Sequence, residues 1–211
     1  MDSYKTIEGT AQAEYEEKKS RFIGQVAHVE TEEEALAFLN GVRSANPMAR
    51  HNVYAYVLRA GNRVRYSDDG EPARTSGLPT LEVIEHAGLA DVICVTTRYF
   101  GGTLLGTGGL VRAYTKAAQD AFASARVVYM AECVDITVSI DYSRYDQLRH
   151  WLDDQGVQVL GVDFGGDVAL DIRVRAEEAE ATQAAIVELT NGSVELMASM
   201  PAFQPLEAKT R

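Results

Sequence analysis

RYFGGTLLGTGGLVRAYTK, residues 98–116, is the stretch on which the fold turns. Just before it stands the apolar run Val92-Ile93-Cys94-Val95, the pattern of a buried strand. After it, Leu110, Ala113, Tyr114, Ala117, Ala118, Ala121 and Phe122 share one helical face. Arg112, Lys116, Gln119 and Asp120 take the other. Between strand and helix lie Gly101, Gly102, Gly106, Gly108 and Gly109. A strand, a glycine-rich turn and a helix start can cradle an anion. Glycine admits close backbone approach, and the first-turn N–H groups point outward unpaired. Arg98 and Arg112 flank the turn, and Lys116 lies one helical turn beyond Arg112. The spacing is neither that of a P-loop, which needs Gly-Lys-Ser/Thr, nor that of the dinucleotide fingerprint. The competing reading is purely structural: a tight turn with a close helix–sheet contact.

Outward from this segment the pattern alternates strands and helices. Residues 4–29 read as two strands joined by the polar stretch Glu14 to Ser20. Thr31 and Glu34 form a capping box, and the spacing predicts a helix to about Ser44. Val53–Leu58 and Arg63–Tyr66 read as a hairpin around Ala60-Gly61-Asn62. A long loop from Ser67 to Pro79 follows, then a short helix that Thr80 is expected to cap. Beyond residue 131 the order is strand 132–140, helix 143–155, strands 157–164 and 168–175 meeting at Gly165-Gly166, helix 177–189 and strand 194–200. That βαββαβ order is the split-βαβ, ferredoxin-like unit. A boundary near residues 127–132 divides the chain into domains 1–130 and 131–211.

The chain has 211 residues and a net charge of −11. The charge is uneven: residues 1–130 carry 14 Lys and Arg against 16 Asp and Glu, and residues 131–211 carry 6 against 15. An acidic whole argues against broad nucleic-acid binding, which runs on Lys and Arg neutralising phosphates. A local basic face on the first half stays open. No apolar run approaches the roughly 18 residues of a membrane helix, and the start lacks a signal peptide, so a cytoplasmic protein is expected. Cys94 and Cys133 lack metal-ligand spacing, and Cys94, inside an apolar run, reads as a buried free thiol.

Asp68, Asp69 and Glu71 form a possible loop site for a hard cation. Their spacing is not that of a calcium loop. A turn is the stronger reading, with Glu71 capping or pairing with Arg74 or Arg98. His51 is a candidate base or phosphate contact, although a lone His before a strand is more often structural. Tyr99 and Phe100 can stack on bases, yet next to a buried strand they read as core. No metal site and no cofactor are expected, and no nucleophile–base pairing stands out. The composite candidate is a basic rim that binds an anion or nucleic acid. It consists of Arg98, Gly101, Gly102, Gly106, Gly108, Gly109, Arg112 and Lys116, with His51, Lys18, Lys19 and Arg21.

Several stretches together resemble one family. They are Lys18-Lys19-Ser20-Arg21-Phe22-Ile23, His51-Asn52 with Ala55-Tyr56, Asp68-Asp69-Gly70-Glu71-Pro72, and Arg98 to Tyr114. The first 130 or so residues resemble the IMPACT domain, and the chain as a whole resembles the family's bacterial YigZ type. In one place it departs: Arg74-Thr75 stands where the family carries smaller residues. The resemblance implies an α+β protein. Its N-terminal part would be an α/β sandwich like domain two of the ribosomal-protein-five fold, and its C-terminal part the ferredoxin-like domain. Eukaryotic members regulate translation under starvation, so the resemblance implies a translation-associated role with RNA or the ribosome as partner. Such a reading is analogy from fold. Two other classes stand beside it: a phosphate- or nucleotide-binding enzyme of small molecules, and a protein-binding regulator that needs no nucleic acid. The enzyme reading lacks a convincing acid or base. No membrane partner is expected, and the oligomeric state is not set by the sequence.

Overall fold

Alternating burial marks the hairpin that opens the first sheet. The protein is described by a computed structural model, over residues 3–206. β1 (Tyr4–Ile7), β2 (Thr10–Glu17) and β3 (Ser20–His28) take the place of the two strands expected over residues 4–29, the extra break falling at Glu8-Gly9. β2 and β3 pair antiparallel with Glu17 opposite Ser20. Their turn, Lys18-Lys19, has φ of 48° and 65°, the type I′ geometry whose twist suits a two-residue hairpin.

α1 (Glu32–Ala45) begins at the Thr31–Glu34 capping box, with both of its bonds formed. β4 (His51–Leu58) and β5 (Arg63–Ser67) make the hairpin around a 3₁₀ turn at Ala60–Asn62. α2 (Gly77–Ala87) starts three residues before the Thr80 cap that the sequence suggests. Pro79 is tolerated there because the first helical turn needs no N–H from it. The Thr80 hydroxyl instead donates to the Ser76 carbonyl at 2.9 Å. β6 (Val92–Tyr99) leads into α3 (Gly106–Ala123).

The strand order is β2-β3-β6-β4-β5, antiparallel throughout. β6 is central and covered on both faces, which explains why it reads as an unbroken apolar run. Ile93 and Val95 pack with Leu39 and Val42 of α1. Val92 and Cys94 pack with Ile84 of α2 and Ala118 and Ala121 of α3. The seven residues assigned to the apolar face of α3 are all buried. Burial pushes the Cys94 thiol up to about 12 against a bond with Thr96, so it stays an inert core group.

The second part runs β7 (Val127–Ile140), α4 (Tyr142–Gln155), β8 (Gln158–Phe164), β9 (Val168–Arg175), α5 (Ala179–Leu189) and β10 (Glu195–Ala198). Its strands order β10-β7-β9-β8 with antiparallel pairing, the ferredoxin-like arrangement. β11 (Ala202–Pro205), absent from the sequence expectation, adds a further pairing along the early part of β7. The chain divides into compact units of Lys5–Val128 and of Tyr129 onward, Tyr4 counting with the second. Residues 127–132 are strand and not an open linker. The core of the second unit is built from Val134 to Ile186 and shares no residue with the cores of the first. No helix among the described residues is long and apolar enough to cross a membrane.

Candidate functional site: a groove at the start of α3

The glycine segment is a short loop pinned at one end. Gly101 donates its N–H to the Ser20 hydroxyl at 3.1 Å. A Cβ there would stand 2.0 Å from the Lys19 carbonyl carbon, so only glycine allows the loop to lie on the β2–β3 turn. Gly102 and Gly106 have φ of 85° and 69°, where other residues are strained. α3 then begins without a capping side chain and with no acid in its first turn. Its first N–H groups have no intrahelical acceptor and carry the positive end of the helix dipole. The Arg112 guanidinium folds back to this end, Nη1 lying 3.7 Å from where a Gly108 Cβ would be.

This end of α3 opens into a groove of about 880 Å³. Gly106, Thr107 and Leu110 form one wall, and Arg50 and His51, just before and at the start of β4, contribute to the lining. Phe100, Leu104 and Met48 give it an apolar, solvent-facing lip, 58%, 84% and 83% exposed.

The acidic loop supports this groove by giving each carboxylate a separate task. Asp68 accepts from the N–H groups of Arg74, Ser76 and Gly77 and from the Ser76 hydroxyl, which caps α2. Burial works to raise its pKa, but these donors outweigh burial and hold it below the usual carboxylate value. Asp69 accepts from the Asn52 N–H at 2.7 Å and from Arg43 at 2.8 Å. Its carbonyl lies 2.8 Å from His51 Nδ1. A carbonyl only accepts, so Nδ1 carries the proton and Nε2 is the ring nitrogen left for other work. Glu71 is buried and accepts from Arg98 at 2.6 Å and from the Tyr114 hydroxyl at 2.8 Å. Burial first, and then the Glu71 charge, raise the Tyr114 phenol far above its ordinary value, so it remains a donor. Arg74 holds φ 64°, where glycine sits more easily.

Several expectations change here. Arg98 is not a rim cation: it is 7% exposed, bound to Glu71, with its guanidinium 5.5 Å from the Phe22 ring centre and 5.7 Å from that of Phe100. Lys116 is exposed but paired with Asp120, about 15 Å along the helix axis from Gly106 at 1.5 Å per residue. Arg21 pairs with Glu14. It alternates with Phe22, which packs with Tyr114 and Leu110, so Arg21 faces the other side of the sheet. Lys19 meets Gly101 through its backbone. Asp68, Asp69 and Glu71 are engaged with donors and cations, and among the described residues no three His, Cys, Asp or Glu gather as a metal site. Phe100 is not core. The structure does bring together Gly106, His51 and Arg98 along the groove, with Arg112 beside Gly108. Sequence reasoning missed Arg50, Met48 and Leu104, and also the part played by Tyr114. A phenol on an otherwise apolar, buried helix face was its one signal, because a buried Tyr hydroxyl needs a partner.

Comparison with known proteins places these features. Residues 18–122 match the Impact N-terminal domain, and residues 138–193 match a domain of unknown function (DUF1949). The chain is 33% identical over 197 residues to the IMPACT family member YvyE of Bacillus subtilis, covering 93% of this chain and 91% of that protein. It is likewise 33% identical to YigZ of Escherichia coli over 184 residues, 86% of this chain and 90% of that one. A Thermus thermophilus IMPACT family member shares 46% identity over 125 residues, 59% of this chain and 67% of that one. A solved structure described as a hypothetical protein aligns with a TM-score of 0.62 and 32% identity, over 93% of this chain and 97% of its own. With the strand–glycine turn–helix unit in the first domain and the ferredoxin-like domain after it, the chain belongs to the IMPACT family, in its YigZ-type, two-domain form.

Proposed function

We propose that the first unit is a binding module for the phosphate backbone of RNA, serving a translation-associated role, and that it is not an enzyme. The observation that carries this is the open start of α3: unpaired N–H groups with no cap and no acid, beside the folded-back Arg112 and the groove with Arg50 and His51. A helix N-terminus of this kind favours phosphate through both its N–H donors and its dipole. The groove offers no nucleophile with a paired base, which speaks for binding over turnover. The uneven charge fits as well, since the acidic excess lies in the second half of the chain.

Fluorescence anisotropy with short RNA tests this. Affinity should fall linearly with salt on a logarithmic scale. Arg112→Glu should weaken all sequences about equally and lower the salt slope by about 1. Lys116→Glu, already paired away from the groove, should change affinity far less. RNA binding that ignores salt, or an Arg112→Glu variant that binds like the parent, would overturn the reading.

A further inference from the structure

We propose that the groove holds one unstacked nucleotide of single-stranded RNA, its base against the Phe100 ring and its phosphate at the first turn of α3. The inference rests on the phosphate-binding reading above and names the form of the ligand. Phe100 is 58% exposed, yet it is held in place. Its ring lies 5.7 Å from the Arg98 guanidinium, and Arg98 is itself fixed by Glu71. The preceding residue, Tyr99, is tied by its hydroxyl to Asn46 at 2.8 Å. An exposed aromatic ring on a rigid base is the platform that single-strand binders use, because every base has a face to stack. Leu104 and Met48 extend the same apolar lip.

A second observation points to an occupant. Arg98 lines the groove, is 7% exposed, and keeps a buried Nε–H that meets no acceptor. Buried donors of a cation are ordinarily satisfied, so Arg98 carries at this wall one donor that the protein itself leaves unused. Size and shape decide between strand forms. About 880 Å³ is the scale of a pocket that encloses a small organic molecule. A base can enter it only if splayed out, which single strands allow and A-form duplexes resist.

The test compares one uridine-rich oligonucleotide with the same strand annealed into a duplex. The single strand should bind about ten-fold tighter or better. Phe100→Ala should abolish that difference, and Phe100→Trp should restore it. An iodouridine-labelled strand should crosslink to the peptide holding Phe100. Three results would overturn the proposal. Equal binding of both forms, unchanged by Phe100→Ala but weakened by Arg112→Glu, removes the nucleotide groove and leaves the phosphate reading standing. Absence of binding by either form removes both. Thermal stabilisation by AMP that Phe100→Ala abolishes, without oligonucleotide binding, makes a free nucleotide the occupant.

Discussion

Glu71 holds the groove wall together through a single oxygen, Oε1, that accepts from both Arg98 and Tyr114. Removing one member of a buried pair leaves the other charge uncompensated, so Glu71→Gln should cost about 3–5 kcal/mol. Tyr114→Phe leaves the ion pair intact and should cost about 1 kcal/mol. Arg98→Met combined with Glu71→Leu and Tyr114→Phe should recover most of the single-variant loss, since apolar replacement of a whole buried polar group, with no hydroxyl left unpaired, is often neutral. Urea denaturation of the four proteins checks the set. Asp68 makes a different prediction, on pH. Its native pKa lies below the unfolded value of about 3.9, so its stabilising share is complete above that value. The share is lost as pH falls through the lower native pKa. Asp68→Asn should therefore be less stable than the parent at neutral pH, and the gap should close in acid. A gap that persists at the acid end would count against this role. Such pairings are what the sequence leaves open. It offered Glu71 two arginines, and the choice of Arg98 depends on the loop reaching β6.

The turn between β6 and α3 gives glycine two opposite meanings. At Gly101 a methyl group would collide with the Lys19 backbone. Gly101→Ala should destabilise by about 1–3 kcal/mol, the range for overpacking against groups that cannot yield. At Gly108 the methyl meets only the tip of Arg112 at 3.7 Å, inside a helix. Gly108→Ala should stabilise by up to about 1 kcal/mol from helix propensity. Thermal unfolding of the two variants should show shifts of opposite sign. The existence of these elements was legible in the sequence because burial leaves a period: β6 as an apolar run, α3 as one face, α1 from its capping box. What periodicity cannot see is where a chain turns without a hydrophobic signal. It missed the break at Glu8-Gly9, the start of α2 at Gly77 and the short β11. It also could not tell that Phe100, one residue beyond a buried strand, points to solvent. That depends on the loop leaving the sheet after Tyr99.

The two units carry separate cores, and this has a consequence for dissection. A chain of residues 5–128 should fold cooperatively alone, since the cores Phe22 and Tyr114, Leu39 and Ile93, and Ile84 and Val92 belong to it are all complete within that span. A dispersed amide NMR spectrum would bear this out, and a collapsed one would refute it. Within that unit, assembly has an order. The glycine loop rests on a hairpin turn some 81 positions earlier in the chain, while the Lys18-Lys19 turn itself closes between neighbours. Local hairpins close in microseconds, and distant contacts wait for chain closure. During refolding, strands and helices should therefore return before the groove exists. Recovery of RNA affinity should lag the far-ultraviolet circular dichroism signal, and a newly made chain would carry its secondary structure for a time before it could hold a ligand.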